Sequence, residues 1–125
     1  MEFFKIVAVN SSEKELRDKL QLKYLERFSN EFFSLDEAQE STVAIGGIWG
    51  EFTLSRSLIK GGLRFALDEC PNALCWTVTA GYPPVRDAVV IHLTINRQQK
   101  QEEFLEEIEE FLSDHLACLE EYLVP

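Results

Sequence analysis

The stretch that decides the fold runs from Thr42 to Ile95 and reads TVAIGGIWGEFTLSRSLIKGGLRFALDECPNALCWTVTAGYPPVRDAVVIHLTI. Over most of it, apolar and polar side chains alternate, as in residues 63–67. Such alternation is typical of β-strands that bury one face and expose the other. The glycine pairs 46–47 and 61–62 predict tight turns between successive strands. We therefore predict a meander of antiparallel strands, because strands joined by short turns pair as neighbours.

One part of this stretch is ambiguous. Residues 55–69 fit either two strands or short helical turns, because the apolar pair at 58–59 is compatible with both. The alternation over residues 63–67 favours strands. The return strand after the first glycine pair is predicted over Ile48–Arg56 and includes Trp49.

The segment before the meander combines a strand with helical structure. Residues 2–9 are rich in Phe, Val and Ile and are predicted as the first strand. Ser12 and Glu15 then fit the capping box, in which side chains satisfy the free amides at a helix start. Apolar residues continue at helical spacing from residue 16 to residue 35, so we predict one helix, or a helix pair divided at residues 29–30.

The C-terminal segment, Gln98–Tyr122, is predicted to be a long amphipathic helix. Its apolar side chains recur at helical spacing, and acidic side chains fill the other face. The segment has nine acidic residues and one lysine, a net charge of −8 within a chain whose net charge is −10. Burial of the apolar stripe must outweigh glutamate repulsion, so we predict that the helix packs on one face of the sheet.

These elements predict a single α+β domain over residues 1–125, in the order β-α-β-β-β-β-β-α. The sheet has five to six strands, with the N-terminal helix or helix pair and the long C-terminal helix on one face. This layout resembles the helix-grip fold, in which a long C-terminal helix crosses an antiparallel sheet. A cystatin-like layout, with one helix wrapped by a sheet, is the alternative.

Composition and charge restrict the class of protein. With 46% hydrophobic and 27% charged residues, the 125-residue chain is expected to be globular, and the absence of a signal pattern predicts a cytoplasmic location. The net charge of −10 argues against nucleic acid and anionic membranes as partners. It leaves a basic protein as a candidate partner.

The cysteines do not predict a metal site. The pairs Cys70/Cys75 and His115/Cys118 superficially resemble a zinc ligand set. Strand alternation, however, directs Cys75 away from the helices, while His115 lies on the apolar stripe of the last helix. We therefore predict free thiols, no metal and no cofactor.

Three groups of residues are candidates for ligand binding. The polar face of the sheet contains Arg64 and His92, which could bind an anion or transfer a proton. The proline loop after the fourth strand of the meander presents Tyr82 and Arg86. The opposite, apolar side contains two tryptophans, Trp49 and Trp76, which could line a cavity against the last helix.

The sequence supports two hypotheses for function. The first is a non-enzymatic binding or interaction module, including a homodimer that covers the polar sheet face. The second is a small-molecule-binding protein or small enzyme, with a cavity between the sheet and the C-terminal helix that Arg64 or His92 would reach. The sequence contains no recognisable catalytic arrangement of a nucleophile with its base, so it identifies no reaction.

Overall fold

A computed structural model describes residues 1–82, 85–96 and 102–124, with the side chains of residues 82 and 85–87 outside the description. The chain forms seven strands, three α-helices and a short 3-10 turn within these residues. In chain order the elements are β1 (Glu2–Val7), α1 (Glu13–Lys19), the 3-10 turn (Leu22–Tyr24), α2 (Leu25–Phe28), β2 (Phe32–Ser34), β3 (Thr42–Gly47), β4 (Gly50–Ile59), β5 (Gly62–Leu67), β6 (Cys75–Tyr82), β7 (Val85–Thr94) and α3 (Glu102–Tyr122).

All strands belong to one antiparallel sheet in the order β1-β7-β6-β5-β4-β3-β2. The meander from β3 to β7 pairs consecutive strands, as predicted, and β1 adds to the far side of β7. The ambiguous residues 55–69 are strands, since β4 pairs with β5 from Leu54↔Leu67 to Ile59↔Gly62. The α+β prediction is confirmed, with one strand more than the five to six expected.

The additional strand, β2, corrects the prediction of helical structure up to residue 35. The chain leaves α2 at Ser29, whose extended backbone (φ −149°, ψ 128°) ends the helix. Phe32 then pairs with Gly47 of β3 and buries its ring in the core. The helical spacing of apolar residues predicted the wrong element here. Phe32 is buried because its strand pairs with β3, and not because it lies on the apolar face of a helix.

The N-terminal helix is shorter than predicted because its last carbonyls accept hydrogen bonds from distant side chains. The start is as expected, with Ser12 Oγ accepting from the Glu15 amide at 3.1 Å. At the other end, the Arg56 guanidinium donates to the carbonyls of Arg17 (2.8 Å) and Leu20 (2.9 Å). Tyr122 of α3 donates its hydroxyl to the carbonyl of the last helical residue at 2.8 Å. These contacts fix the end of α1.

The prediction of a turn at Gly46–Gly47 is wrong. Both glycines belong to β3, and the turn is formed by Ile48 and Trp49, so Trp49 is not in the return strand. The rings of Phe33 and Phe32 lie where Cβ atoms of Gly46 and Gly47 would be. The glycines are therefore needed for close approach of β2 rather than for a turn.

The core lies between the inner face of the sheet and the helices. Helix α1 packs on β5 and β6, and α3 packs on β1 and α2. The sheet alternates as predicted, so that one face is buried by the helices. Among the described helices, none combines the length and apolar character needed to cross a membrane. The side chains of α3 that are buried in the core are Ile108, Phe111, Leu112, His115 and Leu119.

We expect Gly62→Ala to destabilise the fold. A Cβ atom at Gly62 would lie in the carbonyl group of Val78 on β6, which is backbone and cannot rotate away. Overpacking of this kind costs about 1–3 kcal/mol. Chemical denaturation would measure the free energy of unfolding. Gly46→Ala is the control, because its Cβ meets only the ring of Phe33, which is half exposed and free to move. Equal losses in both variants would contradict the prediction.

Candidate functional site

The space between the sheet and α3 is occupied by a layer of aromatic rings. Trp76 of β6 lies 5.1 Å from Phe111 of α3 and 5.4 Å from Phe65 of β5, measured between ring centroids. Trp49, in the β3–β4 turn, extends the layer, with its ring 5.7 Å from Phe111. The two tryptophans are the residues predicted to line a cavity. Both contact the ring of Phe111, and together these rings form a packed layer.

A buried histidine lies at the edge of this layer. His115 has no exposed surface, and its Nδ1 lies 2.9 Å from the carbonyl oxygen of Phe28. Because a carbonyl only accepts, Nδ1 carries the proton and Nε2 is an acceptor. Burial lowers the pKa of His115 to about 4, against the smaller opposing effect of the bond to Phe28. His115 is therefore neutral at neutral pH, and its Nε2 has no hydrogen-bond partner among the described residues.

The predicted polar residues lie on the outer face of the sheet, away from the helices. Strand register places His92 opposite Thr77, and Thr77 opposite Arg64. Arg64 and His92 therefore share one face but are separated by a strand. Trp76 points to the other face. The hypothesis that Arg64 or His92 reaches a cavity lined by the tryptophans is wrong, because the sheet lies between them.

Two other sequence-predicted features have different outcomes. The side chains of Tyr82 and Arg86 lie outside the described residues. The cysteines are free, with Cys75 on the outer face 3.2 Å from Thr94 Oγ1 and Cys118 on α3. Among the residues that the structure describes, no group of three or more His, Cys, Asp or Glu side chains is arranged to hold a metal ion.

The outer face carries an exposed apolar patch that sequence reasoning missed. We define the β1 patch as Phe4, Ile6, Val90 and His92, which lie side by side on β1 and β7. Phe4 and Ile6 are 60% and 54% exposed. The Phe4 ring stacks on the His92 ring at 4.2 Å, and Glu2 contacts His92 Nε2 at 3.0 Å. Exposed neighbouring apolar side chains commonly mark an interaction surface.

The β1 patch lies at an open edge of the sheet. Met1 and Ile95 exchange two backbone hydrogen bonds of 3.1 Å, so they form a hydrogen-bonded pair of the antiparallel ladder. Pairs alternate along such a ladder, which directs the N–H and C=O groups of Glu2, Phe4 and Ile6 away from β7. Ala8, next in this series, does donate outward, to Glu120 of α3 at 3.4 Å. Phe4 and Ile6 therefore have both outward-directed backbone groups and exposed apolar side chains.

The signal for this patch was present in the sequence. In β1, apolar residues occupy both alternating sets, with Phe4 and Ile6 in one and Phe3 and Val7 in the other. A central strand covered on both faces would show the same pattern. Only the position of β1 at the edge of the sheet leaves one set exposed.

Comparison with known proteins supports the fold but identifies no family. No protein-family model matches the sequence, and no curated protein matches it. Three similar solved structures are an uncharacterised protein from Bacillus thuringiensis (TM-score 0.66, 10% identity, 99% of this chain and 100% of that one), the protein XoxI from Bacillus cereus (0.67, 11%, 98% and 95%) and a START superfamily protein from Mycobacterium smegmatis (0.59, 12%, 95% and 94%). The likeness to the START superfamily protein confirms the helix-grip layout of the predicted fold rather than the cystatin-like alternative.

We expect acid to destabilise the protein through His115. The pKa of His115 is about 4 in the folded chain and near 6.5 when exposed, so the unfolded chain binds the proton first. Stability is therefore lost as the pH falls from 6.5 towards 4, by up to about 3 kcal/mol. Denaturant unfolding across this range would measure the loss. The His115→Leu variant lacks the loss of stability that protonation of this residue causes. If the free energy of unfolding depends on pH in the same way in both proteins, His115 is not its cause.

Proposed function

We propose that this protein is a non-enzymatic interaction module that forms a homodimer through β1. The supporting observation is that Phe4 and Ile6 combine exposed apolar side chains with outward-directed backbone groups at a sheet edge. An edge strand of this kind is a template for pairing with another strand. The partner we propose is the β1 strand of a second copy.

A two-fold antiparallel arrangement satisfies the outward backbone groups of both copies. Centred on Phe4, it places Phe4 opposite its own counterpart and Glu2 opposite Ile6 of the second copy. All three residues then lie in hydrogen-bonded pairs, because their backbone groups point towards the dimer axis. The two Phe4 rings meet on the outer face. Such self-complementarity is the property of a two-fold interface.

Because α3 is acidic, the effect of salt on association distinguishes this dimer from a complex with a basic protein. Helix α3 packs on β1, where Glu109 forms an ion pair with Lys5 at 3.1 Å. Pairing through β1 brings the two acidic helices towards each other. Added salt screens this repulsion and should strengthen the dimer. Binding of a basic protein to α3 would instead weaken with salt.

We expect the protein to have about twice the 14.4 kDa chain mass in light scattering at micromolar concentrations, and Phe4→Lys to weaken the dimer by about tenfold or more. The charged side chain would be buried against its own counterpart. Phe33→Lys is the matched control, because Phe33 is 52% exposed on the other edge strand, β2. A wild-type monomer at all concentrations, or equal disruption by Phe33→Lys, would overturn the proposal.

Proline substitutions test the role of the backbone groups separately. Ile6→Pro removes an amide that points to the open edge, so the dimer should be lost while the monomer stays folded. Lys5→Pro removes an amide of the β1–β7 ladder, so it should destabilise the monomer itself. Circular dichroism with light scattering measures both effects. A dimer that survives Ile6→Pro would show that β1 does not pair between copies.

Small-molecule binding is a second candidate, favoured by two observations. The fold is like that of a START superfamily protein, and the buried ring nitrogens of Trp76 and His115 lack hydrogen-bond partners among the described residues. An apolar ligand with one polar group could pair with these nitrogens. Thermal-shift screening of apolar alcohols and acids would detect it, since a ligand of the folded state raises the melting temperature. A shift that persists in His115→Leu would count against this site.

A further inference from the structure

A second surface, unrelated to β1, has the features of a small-ligand site. A cavity of about 470 Å³ lies between α1, the 3-10 turn, residues 38–40 and β4. Its size falls within the usual range of small-molecule pockets, roughly 300–1,000 Å³. Three of its lining residues are basic, Arg17, Lys23 and Arg56. They lie together in a chain whose net charge is −10.

Arg56 is a half-buried cation that forms no direct ion pair with a described carboxylate. Its Nε and Nη2 donate to the carbonyls of Leu20 and Arg17, which leaves Nη1 without a partner among the described residues. No described carboxylate lies within ion-pair distance of it. Burial lowers the pKa of Arg56; the nearby charge of Glu40 opposes this shift, and the smaller effect of Arg17 adds to it. A partly desolvated cation of this kind gains from an incoming anion.

Three basic side chains and one acidic side chain line the cavity. Arg17 is held by the carbonyl of Ile59 at 2.8 Å and by Glu13 at 3.0 Å, so it is fixed in position. Lys23 is exposed, lies over the Tyr24 ring at 5.1 Å and forms no ion pair with a described carboxylate. The acidic residue that lines the cavity is Glu40, which is exposed.

The cavity also has an apolar wall. Leu22 is buried at its base, and Leu58 lines it while remaining 56% exposed. A leucine on β4 that is left half in water gains by contact with an apolar group. Basic groups beside an apolar wall suit a ligand with an anionic end and a compact hydrocarbon body.

We propose that this cavity binds a small organic anion, a carboxylate or phosphate monoester with a compact apolar body. Arg56 Nη1 and Lys23 hold the anionic group, and Leu58 covers the body. Charge-assisted hydrogen bonds from a guanidinium that is already held in place need little ordering on binding. The site is on the helix side of the sheet and does not involve the β1 patch, so it does not depend on dimer formation.

The test is an NMR titration of the isotope-labelled protein with two aryl anions, phenylacetate and phenyl phosphate. The neutral analogue 2-phenylethanol and inorganic phosphate serve as ligand controls. We expect saturable shifts of amide signals at residues 20–24 and 56–58 for at least one aryl anion, and weaker binding of both controls. The two aryl anions distinguish a carboxylate site from a phosphate site, and either result supports the proposal.

Variants separate binding from folding. Lys23→Glu should weaken binding of the aryl anion by about tenfold, because the substitution reverses the charge of a side chain that forms no ion pair with a described carboxylate. Leu58→Asn should weaken the aryl anions while leaving inorganic phosphate unchanged. The control is Lys14→Glu, on α1 and 87% exposed. Arg56→Gln should abolish binding, and Arg56→Lys should restore part of it if Arg56→Gln remains folded.

The proposal is overturned by three results. The first is no saturable shift with either aryl anion at millimolar concentration. The second is equal affinity for 2-phenylethanol and phenylacetate, which would show that charge is not recognised. The third is an affinity that Lys23→Glu and Lys14→Glu change equally, which would show only a general response to net charge.

Discussion

The contact of Trp76 with Phe111 is the interaction on which the rest of the structure depends. It joins the centre of the sheet to the middle of α3, and Phe32 and Phe65 contact the same indole ring. Burial of large side chains is worth about 1.5–3 kcal/mol each. Repulsion between neighbouring glutamates on the helix costs only about 0.2–0.5 kcal/mol per pair. The aromatic layer therefore allows α3 to carry most of the net negative charge of the chain and still form a stable helix.

The same layer determines where binding can occur. Aromatic rings occupy the space between the sheet and α3, and His115 at the edge of this layer is neutral because burial lowers its pKa. The two surfaces for which binding is proposed first lie at the periphery, at the free edge of β1 and in the cavity beside α1. Both surfaces depend on side chains that the core does not fully cover. These are the exposed Phe4 and Ile6 at β1 and the half-buried Arg56 in the cavity.

Charge is distributed unevenly in a way that fits these two surfaces. The acidic face of α3 faces solvent, where it favours solubility. The β1 patch is apolar, and its histidine is already paired with Glu2. The cavity beside α1 concentrates three basic residues. The net charge of −10 therefore reflects the acidic surface of α3 and not the local charge of the β1 patch or of the cavity. A partner predicted from net charge alone is a partner of α3.

The sequence by itself determined the elements that are encoded by local spacing. These are the meander from β3 to β7, the start of α1 at Ser12, the acidic amphipathic α3 and the face on which Arg64 and His92 lie. Tertiary structure alone decided which elements are neighbours. Phe32 became a strand residue because Gly47 left room for its ring, and α1 ended early because Arg56 reached its carbonyls. The pairing of β1 with β7, whose paired residues run from Val7↔Val89 to Glu2↔Thr94 and are therefore distant in sequence, made β1 an edge and left Phe4 exposed. Spacing specifies which side chains share a face, but the partner of that face is set by packing between distant segments, which no local pattern records.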